Sequence, residues 1–229
     1  LGFTSLATTL VSLSTLAVFL IPLIALMLAY DAVVGEQEAG TLLLLLTYPI
    51  SRSALLFGKF FGHGMILAVA TLLGFGIAGM VIALGAEGVP LIQLTVGLAR
   101  LIASSVLLGW VFLAFAYLIS VTVTEKARAA GLALGVWFLF VLVFDLVLLA
   151  LLVGVKQGGD WLPYLMLLNP TDSFRLINLS GFDSTQLESG IAAIAQQGAF
   201  HSAWPPLAML VWVVVPLLLA ARRFHRHTA

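Results

Sequence analysis

The chain contains no cysteine. Disulfide staples, thiolate metal sites and cysteine nucleophiles are therefore excluded together. Charge is nearly as scarce: 9% of the 229 residues are Asp, Glu, Lys or Arg, where a soluble domain carries about 25%. So few charges cannot cover a water-exposed surface, and the mean hydropathy is +1.17 with 62% hydrophobic residues. The chain reads as an integral membrane protein. Its formal net charge is zero, and no basic patch is large enough to hold a nucleic acid. No Gly-rich loop ending in Lys offers a phosphate cradle, so if the chain moves something uphill, another subunit has to supply the energy. Paired intramembrane aspartates, internal repeats and low-complexity tracts are also missing.

What is present is a series of apolar runs. A membrane-crossing helix needs about 20 mostly apolar residues. Five runs qualify, within residues 6–30, 64–84, 96–122, 129–153 and 204–221. Backbone polar groups in lipid must pair within their own segment, so the runs are predicted to be helices. The expected fold is an all-α polytopic membrane protein, with residues 1–229 forming one transmembrane domain and five visible spans.

Basic residues mark the cytoplasmic side. Arg52, Lys59, Lys126, Arg128, Arg222, Arg223 and Arg226 gather on one side; Lys156 and Arg175 lie on the other, with Arg100 at its boundary. This places the C-terminus in the cytoplasm and Leu1 outside. No secretory signal explains an outside start, so a further span is expected ahead of Leu1, making six. Two loops are substantial: a cytoplasmic one, residues 31–62, and an external one, residues 154–203. In the external loop Trp161, Pro163 and Tyr164 suit a membrane interface. Ser184 and Glu188 read as the start of a short helix.

Asp145 interrupts the fourth run. An ionised carboxylate at that depth costs about 2.5–3.5 kcal/mol, and no Lys or Arg of another predicted span core is placed to pair with it. A translocation path or a dimer seam is the expected location, against outward snorkelling. His63, His201, His225 and His227 never pair at i, i+4 beside a carboxylate, and the five methionines are scattered, so no metal site is expected. Ser104, Ser105 and Ser120 read as packing devices between helices.

Residues 36–49, "EQEAGTLLLLLTYP", raise a separate question. Glu36 and Glu38 suit the first turn of a helix, and Pro49 would end it. About eleven residues make roughly 16 Å of helix, too short to span. The segment is either a surface helix whose leucines pack under the bundle, or a protruding helix whose acids meet basic residues of a soluble partner.

The pattern E-x-E-x-G-T-L…L-L…P-I-S-R…L-L…G-K-F-x-G, from Glu36 to Gly62, resembles a loop of the ABC-2 type transporter permeases. The basic end "ARRFHR" is similar to the C-terminus of that family. The resemblance implies a non-catalytic membrane subunit whose coupling helix docks on an ATPase. It casts Glu36, Glu38, Gly40, Thr41, Leu45, Pro49, Arg52 and Lys59 as the coupling residues. It implies a homodimer with two cytoplasmic ABC ATPase subunits, which hold ATP and Mg; this chain itself carries no cofactor. The external stretch "LLNPTDSFRLINLSGFD", residues 167–183, is similar to a branch of the family from the bacterial inner membrane. In that branch a periplasmic β-helical protein assists copper-site assembly in nitrous oxide reductase. The likeness casts Asn169, Pro170, Asp172, Phe174 and Arg175 as contacts to the periplasmic partner. Absence of paired His or Met ligands argues weakly against copper handling by this chain. The alternatives are an ABC-2 exporter of another small molecule or lipid-linked substrate, a non-transporting scaffold, and a membrane-embedded enzyme.

Overall fold

Apolar sequence in lipid has helix as its economical way to pair backbone groups, and each long run is helical. The computed structural model describes residues 6–85, 91–154, 162–179 and 203–226. The elements are α1 (Leu6–Ala29), α2 (Val34–Glu38), α3 (Thr41–Leu46), α4 (Arg52–Gly85), α5 (Leu91–Ser120), α6 (Lys126–Phe138), a π-helical turn (Leu139–Val143), α7 (Phe144–Gly154), α8 (Leu162–Met166), α9 (Pro170–Leu179) and α10 (Trp204–Arg226). Among the described residues there is no strand. Five helices are long and apolar enough to cross a membrane: α1 running on into α2, then α4, α5, the continuous α6–α7 unit, and α10.

α5 is the central post. Leu101, Leu108, Phe112, Ala116 and Tyr117 on it are buried, and α1, α4 and α10 pack around it. Gly109 faces the ends of Leu67 on α4 and Ile21 on α1, and a Cβ there would make both side chains shift. Small residues bring helix backbones together in this way in membranes. The Trp110 indole donates to Gly64 O at 3.3 Å across the same contact. α6 is held against α1 by the Trp137 indole, which donates to Phe19 O at 3.0 Å. The outer face of α4, with Leu72, Leu73, Ile77, Met80 and Val81, is exposed and apolar, as a lipid-facing surface requires.

Two features differ from the sequence expectation. α4 begins at Arg52 rather than near Gly64. Its start is capped by Ser51, whose hydroxyl accepts from Ala54 N at 3.1 Å. Its 34 residues make roughly 51 Å of helix, longer than the hydrocarbon core of about 30 Å. The segment joining the first two spans is correspondingly shorter than residues 31–62. The second difference is the external segment. Its described part is not a free loop: α9 packs among α1, α5, α10 and the π turn. The proposed helix start at Ser184 and the interface residue Trp161 lie outside the described residues.

The bundle has two distinct ends. Arg52 Nη1 donates to Phe224 O at 3.3 Å, and Ser53 Oγ lies 2.5 Å from His225 Nε2. The last turn of α10 therefore sits beside the start of α4, at the end that carries α2 and α3. α8 and α9 enter from the opposite end.

Candidate functional site

The segment between α1 and α4 is a corner pinned from three sides. Ser120, the last residue of α5, is fully buried. Its hydroxyl accepts from Val33 N at 2.9 Å and Val34 N at 3.1 Å. These are backbone donors at a helix start, which have no partner within the helix. From α4, Lys59 Nζ donates to Ala32 O at 2.8 Å and forms an ion pair with Glu36. From α6, Lys126 pairs with Asp31 at 2.6 Å, and its backbone N–H donates to Glu38 Oε1 at 2.6 Å. At Gly40 the backbone takes φ 69°, a left-handed conformation that glycine adopts without the steric cost of a side chain. That break divides the expected single helix into α2 and α3. The Thr41 hydroxyl closes the break by donating to Glu36 O at 3.3 Å.

Charge and grease are distributed opposite to the sequence expectation. Glu36 and Lys59 pair with each other inside the chain, and Glu38 caps α6. Arg52 binds the end of α10. The acids were expected to reach a partner; here they fix the corner. Of the leucine run, Leu42 is buried while Leu43 and Leu44 are 59% and 65% exposed. Tyr48 and Ile50 are exposed as well, as is Pro49. The physical reason is the turn at Gly40, which swings the following leucines away from the bundle. Leu45 stays half-buried. The result is a small exposed apolar knob on a braced base.

The second cluster lies at α9. Asn169 is its N-cap: Oδ1 accepts from Thr171 N at 3.0 Å, and Pro170 takes the first helical position. The π turn leaves Phe140 O open to other donors, and Asn169 Nδ2 (3.0 Å) and Thr171 Oγ1 (3.2 Å) both donate to it. Arg175 reaches Asp145 with both guanidinium nitrogens, at 2.8 Å each, and Nη1 also donates to Asp172 Oδ1 at 2.8 Å. Asn169 Nδ2 lies 3.1 Å from Asp172 Oδ2.

This corrects two expectations. Asp145 is not an unpaired acid: it has a bidentate arginine, so neither a translocation path, a dimer seam nor snorkelling is required to explain it. Asn169, Pro170, Asp172 and Phe174 are buried, and the Arg175 side chain is 16% exposed. They hold α9 inside the bundle and offer no open face to a periplasmic partner. The N-cap signature Asn-Pro-Thr-Asp announces the α9 helix in the sequence. Nothing in the sequence announces the partner of Arg175, which lies 30 positions away.

Two carboxylates share one guanidinium here, and the balance shows in the titration of Asp172. α9 is not one of the five spans. Burial pushes the Asp172 carboxyl up to about 6; Arg175 opposes this and Asp145 reinforces it. Burial also works against the charge on Arg175, yet the bonds and charge of Asp145, then of Asp172, hold it above its ordinary value. The pH consequence has a definite sign. The folded chain binds the Asp172 proton more tightly than the unfolded chain does, so this contribution is complete below about pH 4 and lost as pH rises through 6. Between pH 7 and pH 5 the wild type should gain about 1 kcal/mol of stability that Asp172→Asn does not gain. Thermal unfolding in detergent at several pH values checks this; parallel pH profiles of the two proteins would contradict it.

The family described as "ABC-2 family transporter protein" matches residues 3–228, and the chain belongs to that family. It is a multi-pass membrane permease with five apolar helices of spanning length. It is 58% identical over 228 residues to the "Probable ABC transporter permease protein NosY" of Stutzerimonas stutzeri, covering 99% of this chain and 83% of that protein. The protein of the same name from Pseudomonas aeruginosa is 53% identical over 228 residues, with coverage of 98% and 82%.

Proposed function

We propose that the chain is the permease half of an ATP-driven machine of the NosY type. In this reading two copies form a dimer in the bacterial inner membrane. Two NosF-like ATPase subunits, holding ATP and Mg, dock on its cytoplasmic end, and a NosD-like β-helical protein meets its periplasmic end. ATP-driven rearrangement serves copper-site assembly in nitrous oxide reductase. The observation that carries the reading is the apolar knob of Leu43, Leu44, Tyr48 and Ile50, exposed on a corner that three helices brace. An ATPase seated there would push on α1, α4, α5 and α6 together. The basic residues at the same end support a cytoplasmic location for the knob and the C-terminus.

The test is co-expression with the NosF-like ATPase and purification from detergent. Equal amounts of the two chains and ATP turnover above that of the ATPase alone are expected. Orientation is checked in the cysteine-free chain, with one cysteine placed at Tyr48 or at Ser184. An impermeant thiol reagent should label Ser184→Cys in intact spheroplasts and Tyr48→Cys after lysis. Absence of the ATPase from the purified material, or the reverse labelling, would overturn the reading. Co-purification with ATP turnover but unchanged reductase maturation in a strain lacking this chain would favour an exporter of another substrate.

A further inference from the structure

We propose that the Arg175–Asp145 pair is the joint through which the α6–α7 span carries α9 when the bundle rearranges. The inference rests on the functional reading above for what drives the movement. The chain of contacts is continuous. Lys126 and Asp31 pair at 2.6 Å, and Lys126 N–H binds Glu38, so the first turn of α6 is tied to the braced corner under the knob. The same span then holds α9 at two points. One is Phe140 O, which receives Asn169 Nδ2 and Thr171 Oγ1. The other is Asp145, gripped by Arg175 through two parallel bonds of 2.8 Å.

Two points of attachment fix orientation as well as distance. Phe140 and Asp145 lie five residues apart along the span, roughly 7.5 Å of helix. Asn169 and Arg175 lie six residues apart, roughly 9 Å. The span therefore holds α9 at two separated points, the Phe140 carbonyl and the Asp145 carboxylate. The π turn makes the first attachment possible, since it releases a carbonyl from the usual ladder; such turns recur at functional positions. α9 also meets α5 through Asn178, which donates to Ser104 at 2.9 Å. That is one neutral bond, beside the apolar packing of α9 against α10, α5 and α1. The bidentate, charge-assisted pair is the stronger and more directional of the two polar links. Arg175 is thus a positioning residue, acting through α9.

The experiment uses the whole complex of this chain with its ATPase in lipid nanodiscs, compared without nucleotide and with ATP–vanadate. Backbone hydrogen exchange is read separately for α6 and α9. In the wild type both helices should change between the two states. Arg175→Lys keeps the charge but loses the planar fork; it should keep ATPase binding and the α6 change and lose at least two-thirds of the α9 change. The swapped pair, Asp145→Arg with Arg175→Asp, made together with Asp172→Asn so that no second acid faces the new aspartate, should restore it, and Asn178→Leu should leave it intact. An α9 response that survives in Arg175→Lys, or a wild type whose α6 responds while α9 does not, overturns the proposal. So does an Arg175→Lys protein that no longer binds the ATPase, which would make the pair a fold element alone. A wild-type chain that never binds the ATPase instead refutes the functional reading.

Discussion

Arg175→Met should cost the folded chain about 3–5 kcal/mol, the range seen when one member of a buried charge pair is removed. The methionine fills the apolar part of the arginine's space but leaves two carboxylates facing each other. Asp172 has no exposed surface, so it cannot recover hydration without α9 leaving the bundle. The deficit relative to wild type should shrink between pH 7.5 and pH 5, as Asp172 takes up a proton and the repulsion falls. Adding Asp145→Asn and Asp172→Asn should recover most of the loss, because exchanging a whole buried ionic cluster for neutral groups is often close to neutral. Melting in detergent micelles measures all three proteins. A loss that the two asparagines do not repair would show that packing of the arginine stem, and not charge, holds α9.

Leu43→Glu combined with Leu44→Glu should abolish recovery of the ATPase. Both side chains are more than half exposed, so the substitution disturbs little inside the chain, and insertion and folding should persist. Each leucine that a partner covers contributes about 1.5–3 kcal/mol. Losing two removes about 3–6 kcal/mol, more than a hundredfold in affinity. Glu36→Lys should behave differently. It turns the Lys59 pair into repulsion and loosens the corner, so melting falls while the knob stays chemically intact. Pull-down and melting, measured on the same membranes, separate the two effects. Equal ATPase recovery by the double-glutamate chain and the wild type would place the docking surface elsewhere.

The contrast between these variants shows what the sequence could and could not disclose. Spans are legible because lipid imposes a single requirement, a long apolar run with an internally paired backbone, and all five runs became helices. The Glu36–Gly62 pattern marks the segment that forms α2, α3 and the start of α4. Its orientation was not legible. Whether the leucines or the acids face outward depends on the φ of Gly40 and on which lysine lies within reach, and Lys59 and Lys126 come from other helices. Asp145 was conspicuous as an acid in a span. Its partner was hidden because Arg175 belongs to a segment whose composition reads as an external loop. Only the three-dimensional return of α9 brings them together. Ser120 reads as a packing residue, and nothing local shows that it receives the two free donors at the start of α2.

The central claim is that the apolar knob, not the acids, is the surface an ATPase covers. The absence of native cysteine allows a single cysteine at Leu44 to carry an environment-sensitive fluorophore. Titrating the labelled chain in nanodiscs with the NosF-like ATPase should shift the emission to the blue and saturate at one ATPase per permease chain, with no such shift for the same label at Gly58, on the exposed side of α4. Saturable ATPase binding that leaves the Leu44 label in water would contradict the account.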